Sequence, residues 1–199
     1  MKATLAVLLL VGSVTAGAAE LPPGFVPVAP GQVSGRTLTA ADGSFTVDAP
    51  ADDWLWARLP AAEQAVAQMH PELRADTFFA IQPATRVMFI FTVAHEGNDQ
   101  PPNDLYMKGV GSGIERTSPK TGWQISNYSF SPSPIPFAGS YRFSCIATNN
   151  AGVVKHRFGY LGGTSPKFHF ECSVPGPGEP ELFAAFVRSL HVGAAKSGG

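Results

Sequence analysis

Cys145 and Cys172 are the only cysteines of the chain, and each sits in a run of alternating apolar and polar residues, Ser140 to Thr148 and Lys167 to Val174. A third run, Val153 to Leu161, lies between them and holds His156. Thiols and an imidazole on neighbouring strands can close a disulfide or hold a soft metal ion. In a simple meander that pairs Thr148 with Val153 and Leu161 with Lys167, both cysteines lie opposite His156, two strand spacings or about 9.6 Å apart. A disulfide tolerates at most about 7 Å between Cα atoms. The meander therefore favours two buried free thiols, whereas a strand order that makes the two cysteine strands neighbours lets the bond form. A closed zinc or copper site needs a fourth ligand, and the residues of the same parity are aromatic, so no metal is expected there.

Carboxylates gather at two other places. His95, Glu96, Asn98, Asp99 and Asp104 follow the apolar run Thr85 to Ala94, in a loop leaving a core strand, where binding groups often sit on a rigid scaffold. The spacing matches neither a helical His-Glu-x-x-His motif nor a calcium loop, and a solvated turn accounts for it. Asp52 and Asp53 precede Trp54 as a turn or helix cap would. Ser112 lies between Gly111 and Gly113, but Val110 and Ile114 occupy the positions where a nucleophile elbow needs glycine. Gly109, Gly111 and Gly113 also lack the spacing of a dinucleotide fingerprint. No cofactor is expected.

The elements that must position these residues are mostly strands. Arg36 to Ala40 and Ser44 to Asp48 flank Ala41-Asp42-Gly43, a hairpin signal because the Asp-Gly pair supplies positive φ. Ala61 to Met69 reads as a short helix opened by Pro60. Thr77 to Gln82 and Thr85 to Ala94 read as strands, the second apolar on both pleat faces and so central. Asn103 to Arg116 reads as a helix capped by Asn103, although three glycines oppose it. Trp123 to Phe130 is a strand candidate, and Ser131 to Pro136, with three prolines, reads as a rigid surface loop. In the late meander, alternation places Tyr141, Phe143, Cys145, Ala147, His156, Phe158, Tyr160, Phe168, Phe170 and Cys172 on a core face. Arg142, Lys155, Arg157, Lys167, His169 and Glu171 then share a wet face. Glu179 to His191 carries Leu182, Phe183, Phe186, Val187 and Leu190 at helical spacing and predicts a helix that covers the sheet.

At the N-terminus, Lys2 precedes the apolar run Leu5 to Val14 and then Thr15 to Ala19, the pattern of a secretory signal peptide cleaved after Ala18 or Ala19. The run is too short to span a bilayer, and the first cysteine of the chain is Cys145, so no lipid anchor is expected. Residues 1–19 are therefore assigned to the signal peptide and 20–35 to a flexible leader, poorly ordered unless docked. A single α+β domain over 36–192 and a disordered tail over 193–199 complete the organisation. The 14 basic and 15 acidic side chains nearly cancel, which excludes an electrostatic footprint for nucleic acid. The expected fold is an antiparallel sheet of about six strands with helices packed on it, the last helix included.

Three segments, RTLTAADGSFTVDAP leading into Trp54 and Trp56, the meander YRFSCIAT, VVKHRFGYL and KFHFECSV, and the ending ELFAAFVRSL, resemble the PsbP-like and Ran-binding Mog-type fold. The resemblance covers roughly residues 36 to 191. It implies a binding, assembly or accessory protein with no catalytic residues to carry over. The expected function is thus an exported, non-enzymatic binding module. It would meet an envelope protein or cell-surface component through Arg142, Lys155, Arg157 and Lys167, with no membrane segment left after cleavage. The alternative is a small metal-dependent or hydrolytic enzyme using His95, Glu96 and Asp99 beside Trp54 and Trp56.

Overall fold

The computed structural model describes residues 20–60, 74–95, 100–117, 119 and 122–193. The signal peptide, the helix expected at Ala61 to Met69, and the tail from residue 194 onward lie outside these residues. In chain order the first strands are β1 (Val26–Pro27), β2 (Val33–Ser34), β3 (Thr37–Thr39), β4 (Phe45–Asp48) and β5 (Leu55–Arg58). The long strands β6 (Arg74–Gln82) and β7 (Val87–His95) precede helix α1 (Asp104–Thr117). Then come β8 (Trp123–Ser133), β9 (Ser140–Asn149), β10 (Val154–Gly163), β11 (Lys167–Val174), helix α2 (Glu181–Arg188) and β12 (His191–Val192). No helix among the described residues is long and apolar enough to cross a membrane.

Among the described residues the protein is mostly β, with twelve strands in two antiparallel sheets and two short helices. The large sheet has the order β1-β5-β6-β7-β11-β10-β9-β8, and the small one β12-β4-β3-β2. This corrects the expected α+β layout of about six strands under a helical layer: the main cover on one face is a second sheet. The correction has a physical source. The small sheet joins residues 33 to 48 with His191 and Val192 at the other end of the chain, and pairing between distant two-residue strands leaves no periodic trace in the sequence. The leader is docked: Val26 and Pro27 pair with Arg58 and Ala57.

The principal core lies between the sheets, on what we term the inner face of the large sheet. Leu38, Phe45 and Val47 of the small sheet meet Phe89, Phe91, Phe168 and Phe170. Phe91 packs against Phe170 with centroids 4.7 Å apart, and Phe45 meets Phe91 edge-on at 5.3 Å. Helix α2 completes this layer, burying Phe183, Phe186 and Val187 as its apolar spacing predicts. Its end is tied to β4 by Ser189, whose Oγ accepts from the Asp48 N–H at 3.0 Å and donates to the Phe186 carbonyl at 2.7 Å.

The outer face carries two smaller clusters. One, built on Ala57, Phe79 and Ile81, is covered by Leu21 and Phe25 of the leader. The other gathers Phe143 and Leu161 under α1, with Met107 fully buried. Helix α1 starts as expected, with Asn103 Oδ1 accepting from the Tyr106 N–H at 2.9 Å. Its glycines divide into two kinds. A Cβ at Gly111 would stand 2.5 Å from Tyr128 Cδ1, so the helix can seat on that ring only without a side chain there, whereas Gly109 and Gly113 face open space. Tyr128 locks the seat by donating to the Met107 carbonyl at 3.1 Å.

Gly109→Ala and Gly113→Ala should each stabilise the protein by up to about 1 kcal/mol through helix propensity. Gly111→Ala should destabilise it by about 1–3 kcal/mol, because overpacking against Tyr128 outweighs the same gain. Chemical denaturation midpoints distinguish the three.

Candidate functional site

The register between β9 and β10 decides which side chains meet. Thr148 pairs with Val154, one residue beyond the pairing that the turn suggests, and Cys145 consequently pairs with Arg157. Cys172 pairs with Phe158. Arg157 and Phe158 are adjacent, so their side chains leave opposite faces of the sheet, and the two cysteines do likewise. Both thiols are buried and free. His156 pairs with Ile146 and Val174, on the inner face, and stands between no pair of cysteines. The single-residue slip moves every side chain of β9 to the other side relative to β10.

On the outer face this register assembles a polar row running from β9 to β6. Cys145 stands beside Arg157, whose guanidinium makes an ion pair with Glu171, its Nε donating to Oε1 at 2.8 Å. His169 lies two residues along β11, its ring 5.6 Å from that of Phe143, its Nε2 3.9 Å from Glu171 Oε2 and sealed from solvent without a hydrogen-bond partner. Thr92 pairs with His169 and brings its hydroxyl within 3.2 Å of that of Thr77. Burial holds the His169 imidazole below its ordinary value, with Glu171 opposing the shift and Arg157 adding to it. Burial also raises the Cys145 thiol, and pushes Cys172 up to about 12. Both sulfurs are thus protonated and unreactive at neutral pH.

The four basic residues expected on one wet face are divided. Arg142 lies on the inner side, where Glu179 takes its guanidinium at 2.7 Å and accepts from the Tyr160 hydroxyl at 2.7 Å. Lys155, Arg157 and Lys167 lie on the outer side. Lys167 is only 1% exposed, with Nζ over the Tyr106 ring and donating to the Thr164 carbonyl at 3.4 Å. Lys155 is exposed, its Nζ 5.5 Å from the Trp123 ring. Glu96 and Asp99 lie outside the described residues, and His95 ends β7, its backbone paired with Arg74. Asp104 belongs to α1, where it accepts from the Tyr141 hydroxyl at 2.7 Å, and Asp53 accepts from Gln82 Nε2 at 2.8 Å.

Among the described residues no three His, Cys, Asp or Glu side chains are grouped to hold a metal ion. The Arg157–Glu171–His169 row escapes sequence reasoning because all three share the parity of a solvated face. Its one legible trace is that opposite charges occupy that same parity on consecutive strands. No family model and no curated protein matches the chain.

Two outcomes follow from this geometry. Cys145 and Cys172 should resist alkylation in the folded protein and react once it unfolds, with an intact mass that keeps both thiol hydrogens after mild oxidation. The unfolded chain takes up a proton at His169 near pH 6.5, the ordinary value, whereas the folded one does not. This contribution to stability is therefore complete above pH 6.5 and declines as the pH falls below it. Denaturation midpoints of His169→Gln should accordingly fall less steeply than those of the wild type between pH 6.5 and about pH 5.

Proposed function

We propose that the chain is an exported, non-enzymatic binding or accessory domain that meets an envelope protein or cell-surface component. Its contact region is the corner of the large sheet formed by the β9–β10 turn and the start of β8. The observation that carries this reading is the wiring of the outer-face row. Arg157 and Glu171 satisfy each other, burial keeps His169 neutral and Cys145 protonated, and none of these groups is poised as a base or nucleophile.

Beside the Arg157–Glu171 ion pair, the same corner presents groups free to meet a partner. Val153 and Val154 are 47% and 44% exposed, and Lys155 extends over Trp123. An aromatic ring, a cation and two aliphatic side chains at one hairpin end form the kind of mixed surface that recognition sites use. The basic surface expected from sequence thus contracts to Lys155, since Arg142 and Arg157 are engaged in ion pairs and Lys167 is buried. Export is supported by the apolar run and small-residue stretch before Glu20.

In a periplasmic fraction the mature protein should begin at Ala19 or Glu20. A photo-crosslinking residue at position 155 should give a discrete adduct that Val154→Asp weakens and that Cys145→Ser and His169→Gln leave unchanged. Full-length protein retained in the cytosol contradicts export. An adduct lost in folded Cys145→Ser or His169→Gln overturns Lys155 as the contact and moves it to the polar row.

A further inference from the structure

The opposite margin of the large sheet holds a cavity of about 480 Å³, within the size range of small-molecule sites. We infer that it binds a compact, uncharged apolar molecule, with an aromatic or short aliphatic body and no anionic group. The inference is independent of the partner-binding surface, which lies across the sheet at β8 to β10.

The cavity exists because β1 stops early. Val26 and Pro27 pair with Arg58 and Ala57, and then the chain leaves the edge: Val28 turns into the core and Val33 enters the small sheet. Trp54, with Leu55 and Trp56 of β5, is left as one wall, and Leu21, Phe25, Val28 and Val33 form the other.

The first wall is rigid. Trp54 packs against Phe89 at 4.8 Å and Trp56 against Phe186 at 5.9 Å. Trp56 Nε1 already donates to the Arg36 carbonyl at 2.7 Å, so this indole presents carbon and not a polar handle to the cavity. The second wall is the terminal leader, fixed by the edge-on contact of Phe25 with Phe79 at 5.0 Å and by the two-residue pairing of β1.

Charge selects the occupant. Glu20 is the one ionisable side chain among the described residues lining the cavity, and it is exposed at the mouth. An anionic ligand would lose its hydration against apolar walls that offer it no basic side chain among the described lining residues, so the lining disfavours it. An extended peptide is disfavoured as well, because the leader already pairs with Arg58 and Ala57 at the edge of β5 and leaves only Leu55 and Trp56 beyond it. A compact body that touches both walls ties the leader to the domain.

The test uses the mature protein and N-phenyl-1-naphthylamine, an uncharged apolar fluorophore that accepts energy from tryptophan. Saturable one-to-one binding with quenching of tryptophan emission is expected, together with slower proteolytic trimming of residues 20–35. Anionic 8-anilinonaphthalene-1-sulfonate should bind at least about tenfold more weakly. Leu55→Asp should weaken the uncharged probe by at least about tenfold. Because that variant can unfold, Val33→Phe, which fills the half-buried rim of the cavity, serves as a second, and should abolish binding with the circular dichroism spectrum unchanged. Val154→Asp at the far margin should leave it intact. Non-saturable binding, equal affinity for the anionic probe, or full binding by folded Val33→Phe overturns the inference. So does probe binding that disappears as the protein dimerises in sedimentation, since a second copy would then be the occupant.

Discussion

Strands β6 and β7 carry large apolar side chains on both pleat faces, and a sheet built around them cannot leave either face to water. Phe78 and Phe79 of β6 are adjacent and both buried, and in β7 Phe89 lies in the inner core while its neighbour Ile90 packs against the outer cluster. Burying an aromatic side chain of this size is worth about 1.5–3 kcal/mol, so both faces attract cover. Among the described residues the cover is distributed unevenly. The small sheet and α2 shield the inner face, while α1 and the leader shield the two margins of the outer face.

The β9–β10 register follows from this division. With Thr148 opposite Val154, β9 turns Tyr141, Phe143, Cys145 and Ala147 to the outer face, where α1 seats on Phe143. Phe158 and Tyr160 of β10 stay with the inner core. The buried side of the sheet thus switches between two adjacent strands. At the switch, a buried Glu171 and a partly buried Arg157 lie between the two outer clusters, and their ion pair is the way such groups tolerate loss of water. Gly159, on the same row, leaves the room that the Phe143 ring fills.

Strand edges shape the remaining surface. β1, β2 and β12 are edge strands of two residues each, which blunts them against pairing with other chains. The long edge strand β8 is interrupted by a register shift between Ser126 and Ser129, with Asn127 at φ 53°, and it ends among prolines. These devices blunt the margins against strand addition, and they leave an exposed corner at Lys155 and Trp123 on one side and the apolar cavity beside Trp54 and Trp56 on the other.

Local order was legible in the sequence wherever the signal was periodic or chemical at short range. The Asp-Gly hairpin, the doubly apolar run at Phe89, the capped helix starting after Asn103, the three-strand meander and the terminal amphipathic helix all lie where their spacing placed them, within a few residues. Three things depended on contacts between residues far apart in the chain. The small sheet needs residues 33 to 48 to meet residues 191 and 192; the seating of α1 needs Gly111 to meet Tyr128; and the polar row needs the slip at Thr148. A side-chain period of two reveals which residues share a face within a strand, but not which face of the neighbouring strand they join. The sequence by itself determined the longer strands and the two described helices through local periodicity. Only the tertiary structure decided that the cysteines point apart, that Lys167 is buried and that Arg157 finds Glu171, because register is set by how two-sided strands share their cover.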